Sequence, residues 1–106
     1  MIVATTESVP GRKISAVLGL VRGNTIRARS IGKDLSAVFK NIAGGEITDY
    51  TKMLAESREQ ALDRMIEDAE AMGADAVVAV RFTTSSVMQG AAEIMVYGTA
   101  VRLDAV

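Results

Sequence analysis

The residues most able to do chemistry in this chain lie around a double glycine. Gly44, Gly45 and Glu46 separate two segments of helical spacing, and Tyr50 and Thr51 begin the second segment. Glycine is favoured where the backbone takes positive φ or is closely approached by other atoms. A carboxylate beside a helix start faces N–H groups with partial positive charge. The joint is a candidate ligand-binding or structural signature, but these residue types alone specify no reaction.

Metal binding at this joint would depend on oxygen ligands. The chain contains no cysteine and no histidine, which are the usual ligands of structural zinc. Glu46 and Asp49 could hold a hard cation, but acidic residues also collect at helix N-termini for electrostatic reasons alone. We expect Asp49 to cap the helix and Glu46 to pair with an arginine, and we predict no metal site and no cofactor.

Three arginines form a small basic cluster before the joint. Arg22, Arg27 and Arg29 could hold a phosphate or carboxylate ligand through bidentate hydrogen bonds. The alternative, which we favour, is that they form ion pairs with Glu46 or with acidic residues of the long helix.

The methionines raise a further possibility, a thioether site for a soft metal. Met53, Met65 and Met72 fall on the apolar stripe of the predicted long helix, where methionine is ordinary core material. Met88 lies beside Val87 in a predicted loop, and an exposed apolar pair there fits a contact between subunits.

Catalysis finds little support in these residue types. Without histidine, a serine or threonine nucleophile would need Lys, Asp or Glu as its base. No lysine lies in a motif that would lower its pKa, and we expect Tyr50 to pack with its hydroxyl hydrogen-bonded. We predict that the protein is not an enzyme.

Composition limits the elements that position these residues. The 106 residues have room for one domain, spanning residues 1–106, and contain two Phe, two Tyr and no Trp. A small domain with small core side chains buries little surface, so we expect the chain to associate with copies of itself.

Charge and hydropathy exclude other classes of partner. The net charge of −1 leaves no basic footprint for nonspecific nucleic-acid binding. The longest apolar run, residues 16–21, is too short to cross a bilayer, and the N-terminal residues lack the pattern of a signal peptide. We expect a cytoplasmic protein with neither nucleic-acid nor membrane partners.

Hydrophobic periodicity predicts an α+β domain with a mainly antiparallel sheet packed on one long and one short helix. Gly44 is expected to cap the short helix and Gly73 to end the long one. The predicted order is strand 2–6, strand 14–21, turn 22–24, extended segment 25–30, helix 31–43, helix 49–72, strand 76–83, loop 84–92 and strand 93–103.

The second predicted strand is apolar on both faces, so we expect both to be covered. Gly19 in its middle would allow another backbone or side chain to come close.

A set of short segments, weak singly but specific together, resembles the YbjQ family, also called UPF0145. The resemblance covers nearly the whole chain, with one departure at Asp75, where the family commonly has Asn. It rests on Gly44-Gly45-Glu46, Tyr50-Thr51, Arg58, Ala61, Arg64-Met65, Gly73-Ala74-Asp75-Ala76-Val77-Val78 and Tyr97-Gly98-Thr99-Ala100-Val101.

The resemblance implies a dodecin-like α+β fold assembled as a ring-like homopentamer, and the family carries a heavy-metal-binding label. The leading hypothesis is therefore a noncatalytic homo-oligomer of unknown cellular role, with a pentamer favoured. One alternative is a module that binds a small ligand or anion between subunits, near Arg27, Arg29 and the helix start at Thr48-Asp49. A heavy-metal-binding protein is the other. In the leading hypothesis Glu46, Tyr50, Thr51 and Arg58 are structural, and Arg58 could pair with Glu46.

Overall fold

The computed structural model describes residues 1–28, 48–88 and 90–105, which form four strands and one long helix. The strand order in the single sheet is β1-β3-β4-β2. β4 is antiparallel to both β2 and β3, and β1 is parallel to β3. The elements are β1 (Ile2–Val3), β2 (Ile14–Ala28), α1 (Thr48–Ala71), β3 (Ala76–Met88) and β4 (Ala91–Leu103).

This mixed sheet with a helix on one face confirms the α+β class. The predicted short helix 31–43 and its cap at Gly44 lie outside the described residues. The first strand is shorter than predicted, because only Ile2 and Val3 pair regularly with β3. The chain beyond them stays tied to an irregular part of β3, where Ala79 has φ 54° and donates its N–H to the Thr6 carbonyl oxygen at 2.8 Å.

The predicted turn at residues 22–24 is wrong, because β2 runs unbroken through it from Ile14 to Ala28. Gly23 serves a packing purpose instead. A Cβ built on Gly23 would overlap the carbonyl oxygen of Ala61 and lie 2.6 Å from the Met65 nitrogen. Glycine inside a strand often marks such a close approach of another backbone, and here it lets α1 rest directly on β2.

The predicted loop at residues 84–92 is also wrong. β3 continues to Met88 and β4 begins at Ala91, and these two residues stand opposite each other. Gly90 has φ 76°, a conformation that favours glycine. Serine and threonine made residues 84–86 resemble a loop, but cross-strand pairing with β4 outweighs such weak local preferences.

The long helix agrees with its prediction, residues 49–72, to within one residue at each end. At its end, Gly73 has φ 78°, and its N–H donates to the Glu70 carbonyl oxygen at 3.0 Å. The next N–H, from Ala74, reaches the Ala69 carbonyl oxygen at 3.1 Å. These two bonds form a Schellman motif, in which glycine ends a helix and satisfies its last carbonyls.

The main core lies between α1 and the sheet. The helix contributes Ala61, Met65 and Ala69, all fully buried, and the sheet contributes Val21, Val77, Val80, Ile94, Val96 and Ala100. Met65 is thus a core residue as predicted, whereas Met53 is half-buried and Met72 is exposed. The methyl carbon of Met72 lies 3.6 Å from where a Gly19 Cβ would be. The expected close approach at Gly19 is therefore made by a side chain.

On the other face of the sheet, the described residues provide cover at one end. There, Val9 and Ile14 pack on a second cluster formed by Ala76, Val78, Val101 and Leu103. Farther along β2, Val17 and Leu20 are exposed. At these two residues the described part of the chain does not provide the expected cover on the second face of β2. Among the described helical residues, no segment has the length and apolarity needed to span a bilayer.

Candidate functional site

An apolar groove lies where α1 begins and the β3–β4 hairpin ends. Its volume is about 250 Å³. The helix packs chiefly on β2 and β4, so this end of β3 extends past it and leaves the groove between them. Two hydroxyl-bearing side chains, Thr84 and Ser86, supply polar groups. The lining residues are Met53, Leu54, Thr84, Ser86, Met88, Gly90, Ala91 and Ala92.

Hydrogen bonds hold α1 against β2. The buried Thr25 hydroxyl donates to the Ser57 carbonyl oxygen at 3.3 Å, and the Ser57 hydroxyl donates to the Met53 carbonyl oxygen at 2.8 Å. Toward the other end of this contact, the Arg64 guanidinium donates to the Asn24 carbonyl oxygen at 2.6 Å. The Thr25 bond satisfies a hydroxyl that would otherwise be costly to bury. The Thr25 and Arg64 bonds join α1 to β2, whereas the Ser57 hydroxyl bond lies within the helix.

The predicted arginine cluster is only partly described. Arg27 is half-buried, and its Nη2 donates to Oε1 of Gln60 at 2.8 Å. The hydrogen-bond partner on the acidic helix is thus a neutral amide. Arg22 is exposed on β2, and Arg29 lies outside the described residues.

The remaining signature residues are not gathered into one site by the described structure. Thr51 and Arg58 are exposed on α1, and Tyr50 belongs to its first turn. Gly44, Gly45 and Glu46 lie outside the described residues, so the predicted pairing of Glu46 with an arginine stays a prediction.

The groove brings together two methionines that lie far apart in the sequence, Met53 and Met88. The sequence predicts a core position for Met53 and a subunit contact for Met88, yet both line the same groove. The register of the hairpin places them together, and no local spacing in the sequence reports that register. Within residues 1–28, 48–88 and 90–105, no three Asp or Glu side chains are close enough to hold a metal ion. Among the described residues that line the groove, the thioether sulfurs of Met53 and Met88 are the soft metal-binding atoms.

Comparisons with known proteins match this chain to one family. A family model described as "Putative heavy-metal-binding" matches residues 1–104. A UPF0145 protein of Clostridioides difficile (strain 630) is 62% identical over 104 residues, covering 98% of this chain and 93% of the relative. A UPF0145 protein of Methanosarcina acetivorans is 57% identical over 103 residues and covers 97% of both chains. The names of these relatives state no activity, substrate or ligand.

A solved structure has a similar fold. A protein of unknown function from the DUF74 family of Pediococcus pentosaceus aligns with a TM-score of 0.69 and 16% sequence identity, covering 98% of each chain. At this low identity the likeness concerns the fold alone. The family model and the sequence relatives each cover nearly all of the chain, and on that basis the chain belongs to the YbjQ family of UPF0145 proteins.

Proposed function

We propose that this protein is a noncatalytic homo-oligomer that assembles as a closed ring, with five subunits favoured. The supporting observation is the amount of apolar side chain that one chain leaves exposed. Large hydrophobic residues on β2 are 63 to 68% exposed, and those on the distal half of β3 are 47 to 68% exposed. They are Val17, Leu20 and Ile26 on β2, and Phe82, Val87 and Met88 on β3.

Exposed apolar side chains scattered singly are normal on protein surfaces. Here they follow two strands of one sheet, which is the arrangement expected of a surface that contacts another protein. The small core strengthens this argument, because its fully buried side chains are mostly alanine and valine. Contact with further copies would add the buried area that a chain of 106 residues lacks. The family resemblance favours five subunits.

The groove chemistry supports a noncatalytic role. Thr84 and Ser86 carry the side-chain hydroxyls of the groove, and a hydroxyl nucleophile needs an adjacent base to be activated. Among the described residues that line the groove, the other side chains are apolar, and Gly90 has none. We place the protein in the cytoplasm, in line with the composition of its sequence.

The mass of the untagged protein tests this proposal. Size-exclusion chromatography with light scattering should give about 56 kDa, five times the 11.2 kDa of one chain. Native mass spectrometry then counts the subunits. A different closed ring would revise the number five, whereas a monomer at micromolar concentration would overturn the proposal.

A second candidate function is binding of a small ligand between subunits. The groove supports it, since apolar walls with a few polar groups are typical of small-molecule sites. The case for an anionic ligand at Arg27 is weaker, because the Nη2 of this residue already donates a hydrogen bond to Gln60. Native mass spectrometry of protein purified from its host tests this candidate. Additional mass that persists through gentle desalting would support it, and bare subunit multiples would count against it.

The heavy-metal-binding alternative rests on the family description and on the thioethers of Met53 and Met88. Thioether ligands suit soft ions such as Cu(I). It is the weakest of the three candidates, because two thioethers form a sparse ligand set.

A further inference from the structure

We infer that copies of this chain join edge to edge through their sheets. The outer edge of β3 over Arg81–Met88 would pair with the outer edge of β2 over Arg22–Ala28 of the next copy, and the two strands would be parallel. This inference rests on the proposed homo-oligomer and adds the surface, the direction of pairing and the consequence for the groove.

The first observation concerns the edge at β3. Its neighbour β1 pairs only with Ala76 and Val77. The last backbone bond on that side runs from the Val80 N–H to the Ala4 carbonyl oxygen at 3.0 Å. Beyond it, no described residue pairs with the outer side of β3, and every side chain from Arg81 to Met88 is exposed.

The second observation concerns the opposite edge. β2 is the last strand of the sheet, and within the described part of the chain nothing pairs with its outer side. Long edges with exposed apolar side chains invite pairing with another chain, and monomeric proteins usually protect them with short strands, charges or proline. β2 has 15 residues and includes no proline. Its charged side chains are Arg22 and Arg27, and Arg27 is directed to Gln60 of the helix.

The third observation is that the two open stretches lie at the same height in the sheet. β4 lies between the two stretches, and its pairing with each of them gives their relative positions. Tyr97 stands opposite Arg22 on one side and Arg81 on the other, and Ala91 stands opposite Ala28 and Met88. Each stretch spans about seven residues, or roughly 20 Å at the rise of a strand. Neighbouring copies in a ring can therefore align them with little axial displacement.

The direction of pairing follows from the topology. β2 and β3 are both antiparallel to β4, so they run in the same direction. Rotation about a ring axis that lies roughly along the strands preserves this direction. Parallel pairing of β2 with the next β3 uses both edges of every copy, and such head-to-tail contacts close into rings. A twofold dimer would pair like edges antiparallel and leave the other edge of each copy open.

The side chains of β3 show where the groove would lie in this assembly. Phe82 stands opposite the buried Val96, so it lies on the helix face of the sheet. Thr84, Ser86 and Met88 line the groove on the same side of the molecule. A β2 strand added at this edge would bring its own helix face beside them. The groove would then lie at the boundary between two copies and would be completed by the second copy.

Engineered disulfides test the pairing directly, because the natural chain has no cysteine. Ser85→Cys is combined in turn with Arg22→Cys, Asn24→Cys or Ile26→Cys, all on the face of the sheet away from α1. β4 separates each pair within a chain. Ser85 and Ile26 both stand opposite Glu93 and are therefore two strand spacings apart, roughly 9.6 Å, and Asn24 and Arg22 lie farther along the strand and farther from Ser85. A disulfide usually needs Cα atoms within about 7 Å, and any disulfide must therefore join two copies.

We expect one pair to give a ladder of covalent multimers on nonreducing gels, lost upon reduction. The matching single-cysteine variants are the controls. A dimer formed efficiently by Ser85→Cys alone or by Asn24→Cys alone would show that like edges meet, and would overturn the parallel arrangement.

Hydrogen exchange of the unmodified protein separates the remaining outcomes. We expect slow exchange of alternate amides across Arg81–Met88 and Arg22–Ala28 in the oligomer. An oligomer in which both stretches exchange fast and no pair cross-links would overturn the edge pairing and leave the proposed homo-oligomer intact. A monomer would overturn both the edge pairing and the proposed homo-oligomer. This holds even if slow exchange shows that another segment of the same chain protects the β3 edge.

Discussion

Gly23 of β2 lies directly against the backbone of Ala61 in α1. The space that a Cβ on Gly23 would need is occupied by the Ala61 carbonyl oxygen. Backbone-to-backbone contact of this kind brings helix and strand closer than side chains would permit. It explains why a core made largely of alanine and valine can be filled, and why a strand of 15 residues keeps a glycine in its middle.

Substituting Gly23 with alanine should therefore destabilise the fold. We expect a loss of about 1–3 kcal/mol in the free energy of unfolding, the usual cost of overpacking a filled interior. Urea denaturation followed by circular dichroism measures this loss. Ser15→Ala, at an exposed position of the same strand, is the matched control and should stay within about 0.5 kcal/mol. Equal midpoints for the two variants would refute the packing explanation for Gly23.

The buried hydroxyl of Thr25 should matter more than that of Ser57. Thr25→Val leaves the Ser57 carbonyl oxygen without its side-chain donor from β2, at a cost of order 1 kcal/mol. Ser57→Ala removes only a bond from the side chain to the Met53 carbonyl oxygen one turn earlier in the helix. Because such bonds stabilise helices little, we expect a smaller change. Thermal melting of both variants compares them, and the reverse order would contradict this account.

The end of α1 should depend on the residue type at position 73. Gly73 has φ 78°, a region that costs an ordinary L-residue about 1–2 kcal/mol. Gly73→Ala should lower the melting temperature. Gly73→Asn should lower it less, because asparagine tolerates this conformation better than alanine does. An alanine variant as stable as the asparagine variant would mean that the Schellman bonds do not require positive φ at this position.

Divalent metals should bind this protein poorly. Without thiolate or imidazole ligands, we expect no heat in calorimetric titrations of tag-free protein with micromolar Zn²⁺, Cd²⁺ or Ni²⁺. A purification tag containing histidine would invalidate the measurement. Heat that disappears in the Met53→Leu, Met88→Leu double variant would contradict this prediction and assign binding to the groove. Heat that persists in this variant would contradict it and direct attention to carboxylate ligands.

Local patterns predict the helix well and the β2 and β3 strands less well. The apolar stripe that includes Ala61, Met65 and Ala69 has the three- and four-residue spacing of a helix. This spacing can be recognised from the sequence without knowing what the helix packs against. Gly73 reports the helix end for the same local reason. The predicted turn at Gly23 is wrong, because a glycine between Arg22 and Asn24 has the same local pattern whether the chain turns there or a helix backbone packs against it.

The sequence by itself determined the α+β class, the boundaries of α1, the burial of Met65 and the membership of a family. These properties depend on spacing along the chain and on residue types. Only the tertiary structure decided that β2 is continuous, that Met88 stands opposite Ala91, and that Met53 and Met88 share a groove. Strand register and helix-on-sheet contact arise between residues far apart in the chain. Their energies come from packing and cross-strand pairing, which local propensity does not encode.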